Sequence, residues 1–243
     1  MASFRQSPND LLASLPEATF EQLGAACRTV DLVLSDILVE AGAQLRLIYF
    51  PHSGVISKLV SLAQGDSVEV GMIGREGVFG AAAGDERELS RTTGIVRFPG
   101  TASVIEVERF QAICAQSEPL RAALMQCQWR YLMQAERTAA CNAAHSIEAR
   151  FCRQLLMFRA RARSDKLPLT QDVVAQMLGV QRNSISLVAI ALQQAGLLRY
   201  SRGHLEILDV DGLTERSCTC YQPVEPDHGA LLGAGVTSRI QRF

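Results

Sequence analysis

The chain has 243 residues, of which 48% are hydrophobic and 20% charged, the balance of a folded protein, and this excludes wholesale disorder. The formal net charge of −1 hides an uneven distribution: residues 1–145 hold 12 basic and 16 acidic side chains, residues 146–204 hold 9 and 3, and residues 205–243 hold 3 and 6. The balances of −4, +6 and −3 exclude a uniformly neutral surface and direct any polyanion contact to the middle stretch. The start, MASFRQSPND, has no apolar h-region, and no apolar run approaches the roughly 18 residues of a membrane span, so a cytoplasmic protein without membrane contact is expected. Seven cysteines (Cys27, Cys114, Cys127, Cys141, Cys152, Cys218 and Cys220) are odd in number and irregular in spacing, which does not read as a disulfide framework.

In chain order, Pro8 to Ser14 and Pro16 to Cys27 place Leu11, Leu12, Leu15, Phe20 and Leu23 at helical spacing. From Thr29 to about Glu106, short apolar runs alternate with turn residues: VDLVL, ILVE, LRLIYF, GVISKLV, SVEVGMI, GVFGAAA, GIVRF and ASVIEV. Short strands with frequent turns predict an antiparallel barrel or sandwich. Leu120 to about His145 has no Gly or Pro, and Pro119 suits a first helical turn. Leu120, Leu124, Cys127, Tyr131, Gln134, Thr138 and Cys141 form a heptad-like seam, with a second stripe at Met125, Trp129, Leu132 and Met133. A helix with two apolar faces needs two surfaces to pack on, its own barrel and a second copy, hence a homodimer is expected. Ser146 to Arg163 is a further helix ending in a basic cluster, Arg159, Arg161, Arg163 and Lys166, and residues 216–243 read as a tail.

The strongest signal is TQDVVAQMLGVQRNSISLVAIALQQAGL, from Thr170. Thr170 suits an N-cap and Asp172 a first turn, Val174, Ala175 and Leu178 make a buried edge, and Gly179 falls where the chain must turn sharply. A second helix buries Ile185, Val188, Ala189 and Leu192 and turns Asn183, Ser186, Leu187 and Ile190 outward. This is a helix-turn-helix, and the chemistry of its first turn fits double-stranded DNA. Arg182 can pair bidentately with guanine, Asn183 with adenine, Ser184 and Ser186 with a base edge or phosphate, and Leu187 with a thymine methyl. Gln181 stands at the helix start, and Thr170 and Gln171 are placed to hold a phosphate. Leu197 and Leu198, then Leu205 and Ile207, read as two strands around Ser201-Arg202-Gly203, a wing that brings Arg202 and His204 toward the DNA backbone or minor groove.

Over roughly residues 10–215 the chain resembles the Crp/Fnr family of bacterial transcription regulators, most specifically in GMIGREGVFG (71–80), AHSIEARFCRQLL (144–156) and LTQDVVAQMLGVQRNSIS (169–186). The resemblance implies an α+β fold: an N-terminal antiparallel β barrel of the cyclic-nucleotide-binding-like jelly-roll type, a long dimerisation helix and a C-terminal winged helix-turn-helix. The corresponding divisions are 1–117, 118–145 and 146–215. It implies no enzyme, but a homodimer on a palindromic promoter operator whose barrel senses a signal and repositions the DNA-reading heads, with RNA polymerase a further candidate partner. It also implies that Arg182 reads a guanine. The effector is not fixed by the resemblance. Gly80 is followed by Ala81 where the cyclic-nucleotide cassette has a ribose-binding glutamate, and Arg91-Thr92-Thr93 only approximates its phosphate-binding arginine motif. Gly80, Ala81, Arg91 and Thr92 are thus the candidate effector residues, and a cyclic nucleotide is the candidate cofactor with its ribose ligand missing. Only Cys27 lies in the N-terminal region where iron–sulfur members carry a cysteine cluster, so such a cluster is not expected.

No metal site is assigned either. Cys141 and His145 lie one helical turn apart but are only a pair, and Cys218-Thr-Cys220 stands alone near the tail. A cupin-like enzyme would need several barrel histidines, and this stretch offers His52, read as a turn residue. The alternative function is a cyclic-nucleotide-binding-like module acting on a protein partner, which leaves the basic winged helix without a role.

Overall fold

The computed structural model describes residues 7–63, 65–81, 89–201 and 203–221. Two short helices, α1 (Asp10–Ala13) and α2 (Glu17–Ala26), open the chain. Asn9 caps α1 by accepting from the Leu12 amide, while its side-chain nitrogen donates to the carbonyls of Pro51 and Gly77, pinning the helix to the barrel. Leu11, Leu12 and Leu23 are buried there, as their spacing predicts.

The barrel is two facing antiparallel sheets. One has the order β1 (Arg28–Leu32), β7 (Gly100–Glu106), β3 (Leu47–Pro51). The other runs β2 (Ile37–Val39), β6 (Thr93–Phe98), β4 (Val55–Ser61), β5 (Ser67–Ile73). Val104 stands opposite both Arg28 and Tyr49, so β7 is the centre of its sheet. Ile48, Phe50, Ile56, Val96, Val104 and Ile105 belong to one buried cluster, and the Phe50 ring meets Phe110 of the helix that follows the barrel at a centroid distance of 6.0 Å. The run GVFGAAA departs from its expected strand character. Its described part, up to Ala81, makes a single bridge between Tyr49 and Phe79. Phe79 instead turns inward, its ring 6.1 Å from that of Tyr49 and seated where Gly94 leaves room for it.

After the barrel comes α3 (Val107–Gln116), an amphipathic helix that the sequence reading did not assign, with Val107, Phe110 and Ile113 buried. The long helix α4 spans Glu118–Ala144; Ser117 caps it by accepting from the Leu120 amide, and Pro119 lies in its first turn. Its seam faces the molecule's own core: Leu120, Leu124, Cys127 and Cys141 are buried, and the Tyr131 hydroxyl bonds both backbone groups of Val78. The second stripe, Met125, Trp129, Leu132 and Met133, is exposed, Trp129 by 57%.

The C-terminal domain is built on α5 (Ile147–Ala162), capped by Ser146 and closed by Arg163 at φ 52. It continues through β8 (Lys166–Leu167), α6 (Gln171–Leu178), α7 (Arg182–Gln194), β9 (Leu198–Ser201), β10 (His204–Ile207) and α8 (Val210–Arg216). The three strands form one sheet in the order β8, β10, β9. Phe151, Leu155, Phe158, Leu178, Ile185, Leu192 and Leu213 are its core. Of the stretch 216–243 read as a tail, Arg216 ends α8 and Cys218 is buried, and residues 222–243 lie outside the described residues. No single helix among the described residues is long and apolar enough to cross a membrane.

Barrel and C-terminal domain meet through apolar packing, with Val55 and Met72 buried in the C-terminal core cluster and Phe98 against Phe158, and through polar contacts. Gln154 of α5 donates to Glu69 of β5 (2.6 Å), Arg161 pairs with Glu76 (2.7 Å), and Arg97 of β6 bonds Gln176 of α6. Glu69 also accepts from Ser57 (2.5 Å). Burial pushes the Glu69 carboxyl up to about 7, against the lowering effect of Ser57, Arg97, Arg161 and Gln154.

Candidate functional site

The site is the pair α6–α7. Thr170 caps α6 by accepting from the Val173 amide (3.2 Å), which leaves the other first-turn amides facing outward. Gly179 ends the helix at φ 62, the left-handed region where a side chain costs about 1–2 kcal/mol. The chain then turns so that α6 and α7 differ in direction by 111°, within the range of DNA-reading helix pairs. Val174, Ala175, Met177 and Leu178 from one helix and Ile185, Ala189 and Leu192 from the other are buried together, so the packing fixes the angle.

Packing leaves one face of α7 outside. Gln181 is the N-cap, with no cap hydrogen bond from its side chain, and it is exposed with Arg182 and Asn183. Leu187 is 72% exposed, and Ile190 lies exposed one turn on. An apolar side chain this open has no role in the fold of the single chain. It suits a contact made elsewhere, such as a thymine methyl. Arg182 Nε lies 3.4 Å from an Asp172 carboxylate oxygen, a partner the sequence reading did not assign. Both groups are largely exposed, so the pair is weak, about 0–1 kcal/mol, and serves to aim the guanidinium rather than to lock it.

Two predicted contacts turn out to be made within the protein. The Ser186 hydroxyl donates to Gln171 Oε1 (2.6 Å), tying the start of α6 to the second turn of α7. Ser184 is half-buried. His204 is exposed at the start of β10, whereas Arg202 lies outside the described residues.

The basic balance of residues 146–204 is also redistributed. Arg150, Arg153 and Arg161 are buried, because α5 is the central helix of its domain and its face carries arginine stems inward. Arg150 donates to the carbonyls of Asn142 (3.3 Å) and Leu178 (3.0 Å), bridging the end of α4 to the end of α6. Arg159 pairs with Asp165, and Arg199 and Lys166 with Glu206. The expected cluster of Arg159, Arg161, Arg163 and Lys166 therefore presents three cations outward rather than four.

In the barrel, Gly80 adopts φ 94 with Leu45 and Ile48 against it, Ala81 is half-buried, and Arg91 is exposed beside half-buried Thr92. Phe79 fills the neighbouring interior. Ala81 stands directly after Gly80. His52 is a turn residue that bonds Ser103 (2.8 Å), and burial lowers its basicity. The seven cysteines are all unbridged. Cys141 and His145, read as one pair, and Cys218 and Cys220, read as another, are brought together at the end of α4.

An antiparallel barrel joined by a long helix to a winged helix-turn-helix defines the architecture. Residues 149–216 match the family described as the Crp-like helix-turn-helix domain. No curated protein sequence matches the chain. Among solved structures it is similar to a CRP-family transcriptional regulator from Thermus thermophilus, at 17% identity over 80% of this chain and 99% of that one, with a TM-score of 0.68. It is also similar to a Crp/Fnr-family transcriptional regulator from Eubacterium rectale, at 17% identity over 87% of this chain and 99% of that one, with a TM-score of 0.67. A third is the c-di-GMP responsive global regulator CLP from Xanthomonas campestris, at 18% identity over 79% of this chain and 99% of that one, with a TM-score of 0.65. The chain thus has the Crp/Fnr regulator fold and carries a Crp-like helix-turn-helix domain.

Proposed function

We propose that this protein is a sequence-specific DNA-binding regulator of transcription that acts as a homodimer. The observation that carries the reading is α7, held at 111° to α6 with Arg182, Asn183 and Leu187 exposed on one face. That face enters the major groove: Arg182 pairs with guanine O6 and N7, Asn183 with adenine, and Leu187 covers a thymine methyl, while the amides at the start of α6 hold a phosphate. The exposed Met125, Trp129, Leu132 and Met133 stripe of α4 packs against the same stripe of a second copy, which sets two heads on a palindromic operator. A signal at the barrel shifts the heads and changes access of RNA polymerase to the promoter.

The test is selection of bound DNA from a random pool, alone and with cAMP or c-di-GMP; the latter is included because a structurally similar regulator is described as responsive to it. Two half-sites with dyad symmetry and a steep salt dependence are the expected result. Retention of DNA with no preferred sequence overturns it.

A further inference from the structure

Away from the DNA-facing surface, the fold assembles soft ligands that the function above does not use. Cys141 lies in the last turn of α4 and His145 is the residue that closes it. Cys218 and Cys220 follow α8, with Cys218 separated from Cys141 by 77 positions. One ligand atom from each of the four residues lies within 4.8 Å of those of the other three. The sulfurs of Cys141 and Cys218 are 3.7 Å apart. Two thiolates on one tetrahedral zinc ion, each about 2.3 Å from it, stand about 3.8 Å apart, so the pair already has the edge length of such a site. An iron–sulfur cluster interposes several iron and sulfide atoms between its thiolates and spreads them further than a single ion does.

Two independent observations point to a ligand. Nδ1 of His145 is buried and has no hydrogen-bond partner among the described residues, an unpaired nitrogen that a bound ion would satisfy. Burial pushes the Cys141 thiol up to about 12, and Arg153, 3% exposed and carrying an Nε with no hydrogen-bond partner among the described residues, places a positive charge that acts against this. A divalent ion with three thiolates and a neutral imidazole has a net charge of −1, which a buried guanidinium offsets.

We propose that Cys141, His145, Cys218 and Cys220 bind one zinc-class divalent ion in a closed, tetrahedral three-cysteine, one-histidine site that ties the end of α4 to the segment after α8. Binding releases the thiol protons to solvent and changes no oxidation state. Four protein ligands leave no open position, so the ion is structural rather than catalytic. The site is independent of the DNA-binding reading, because metal uptake is read without DNA.

The experiment is cobalt(II) titration of the full-length, reduced chain purified without oxygen. One equivalent should give intense tetrahedral d–d bands and thiolate-to-cobalt charge transfer, both lost on adding one equivalent of zinc. X-ray absorption of the zinc form should show three sulfurs at about 2.3 Å and one nitrogen at about 2.0 Å. Cys218→Ser and Cys220→Ser should each weaken zinc binding by at least about 10-fold, while Cys27→Ser, whose thiol packs in the barrel cluster, should leave it unchanged. Should the serine variants fail to fold, His145→Cys keeps the test decisive, since it should retain the ion with four sulfurs around it. A wild-type chain that takes up no stoichiometric ion, or that instead closes a Cys141–Cys218 disulfide while remaining metal-free, overturns the proposal. So does a cobalt spectrum that disappears in Cys27→Ser and persists in Cys218→Ser.

Discussion

In the proposed DNA complex, Arg182 is the side chain on which base reading turns. A bidentate arginine–guanine pair is worth about 1–3 kcal/mol, so Arg182→Ala should weaken operator binding roughly 10- to 100-fold and relax the preference at one position of each half-site, as read by competition with substituted operators. An unchanged base preference would remove Arg182 from the reading face. Glu69 gives a second test at this scale. Its carboxyl ionises near 4.5 when unfolded and near 7 in the folded chain, so the folded state holds an extra proton between those values. Stability therefore falls as pH rises from about 4.5 to about 7, by an amount on the order of 3 kcal/mol, and the loss persists above that range. Glu69→Gln should remove this slope. Between pH 5 and pH 7.5 the wild type should lose roughly 5–10 °C of Tm relative to the variant in thermal melts. Residues whose role follows from local pattern, such as Thr170 and Gly179, were legible in the sequence because a cap and a left-handed turn are set by neighbours. The inward turn of Arg150, Arg153 and Arg161 was not, because it depends on which helix lies at the centre of the domain. The Ser186–Gln171 bond likewise exists only once two helices cross.

At the scale of elements, the turn between α6 and α7 carries the geometry of the head. A Cβ on Gly179 would face the left-handed penalty and would meet Val68 Cγ1 at 3.1 Å, a contact with β5 of the barrel. Gly179→Ala should cost about 1–2 kcal/mol, seen as a drop of roughly 2–8 °C in Tm, with DNA affinity falling further as the angle relaxes. Most strands could be read from alternation and turn residues, and α4 from its freedom from Gly and Pro. Two elements could not. The GVF run is as apolar as a strand, but its phenylalanine is needed inside the barrel beside Gly94, so the backbone follows the side chain out of the ladder. The α3 helix begins directly at the end of β7, with no turn residue between them to mark the change of period.

For the whole molecule, the proposed homodimer rests on the exposed stripe of α4. Trp129→Glu should leave the chain folded and convert it to a monomer in sedimentation at micromolar concentration. Operator affinity should fall by roughly 100-fold, because two linked half-sites bind far more tightly than separate ones. A dimer that survives this change would place the interface elsewhere. The uneven charge of the sequence directed any polyanion contact to residues 146–204, but three of the cations it counted there are buried inside the protein. The approach of Cys218 to Cys141 has a mechanical consequence. The backbone enters the C-terminal domain at the end of α4 and comes back to the same place after α8, so the covalent chain suspends that domain from a single pivot. A body hung from one pivot swings about any axis. The contacts of Gln154 with Glu69 and of Arg97 with Gln176 hold it at a second place, against the barrel. Held at both, the domain has two separate anchors, and cutting the barrel contacts leaves only the first.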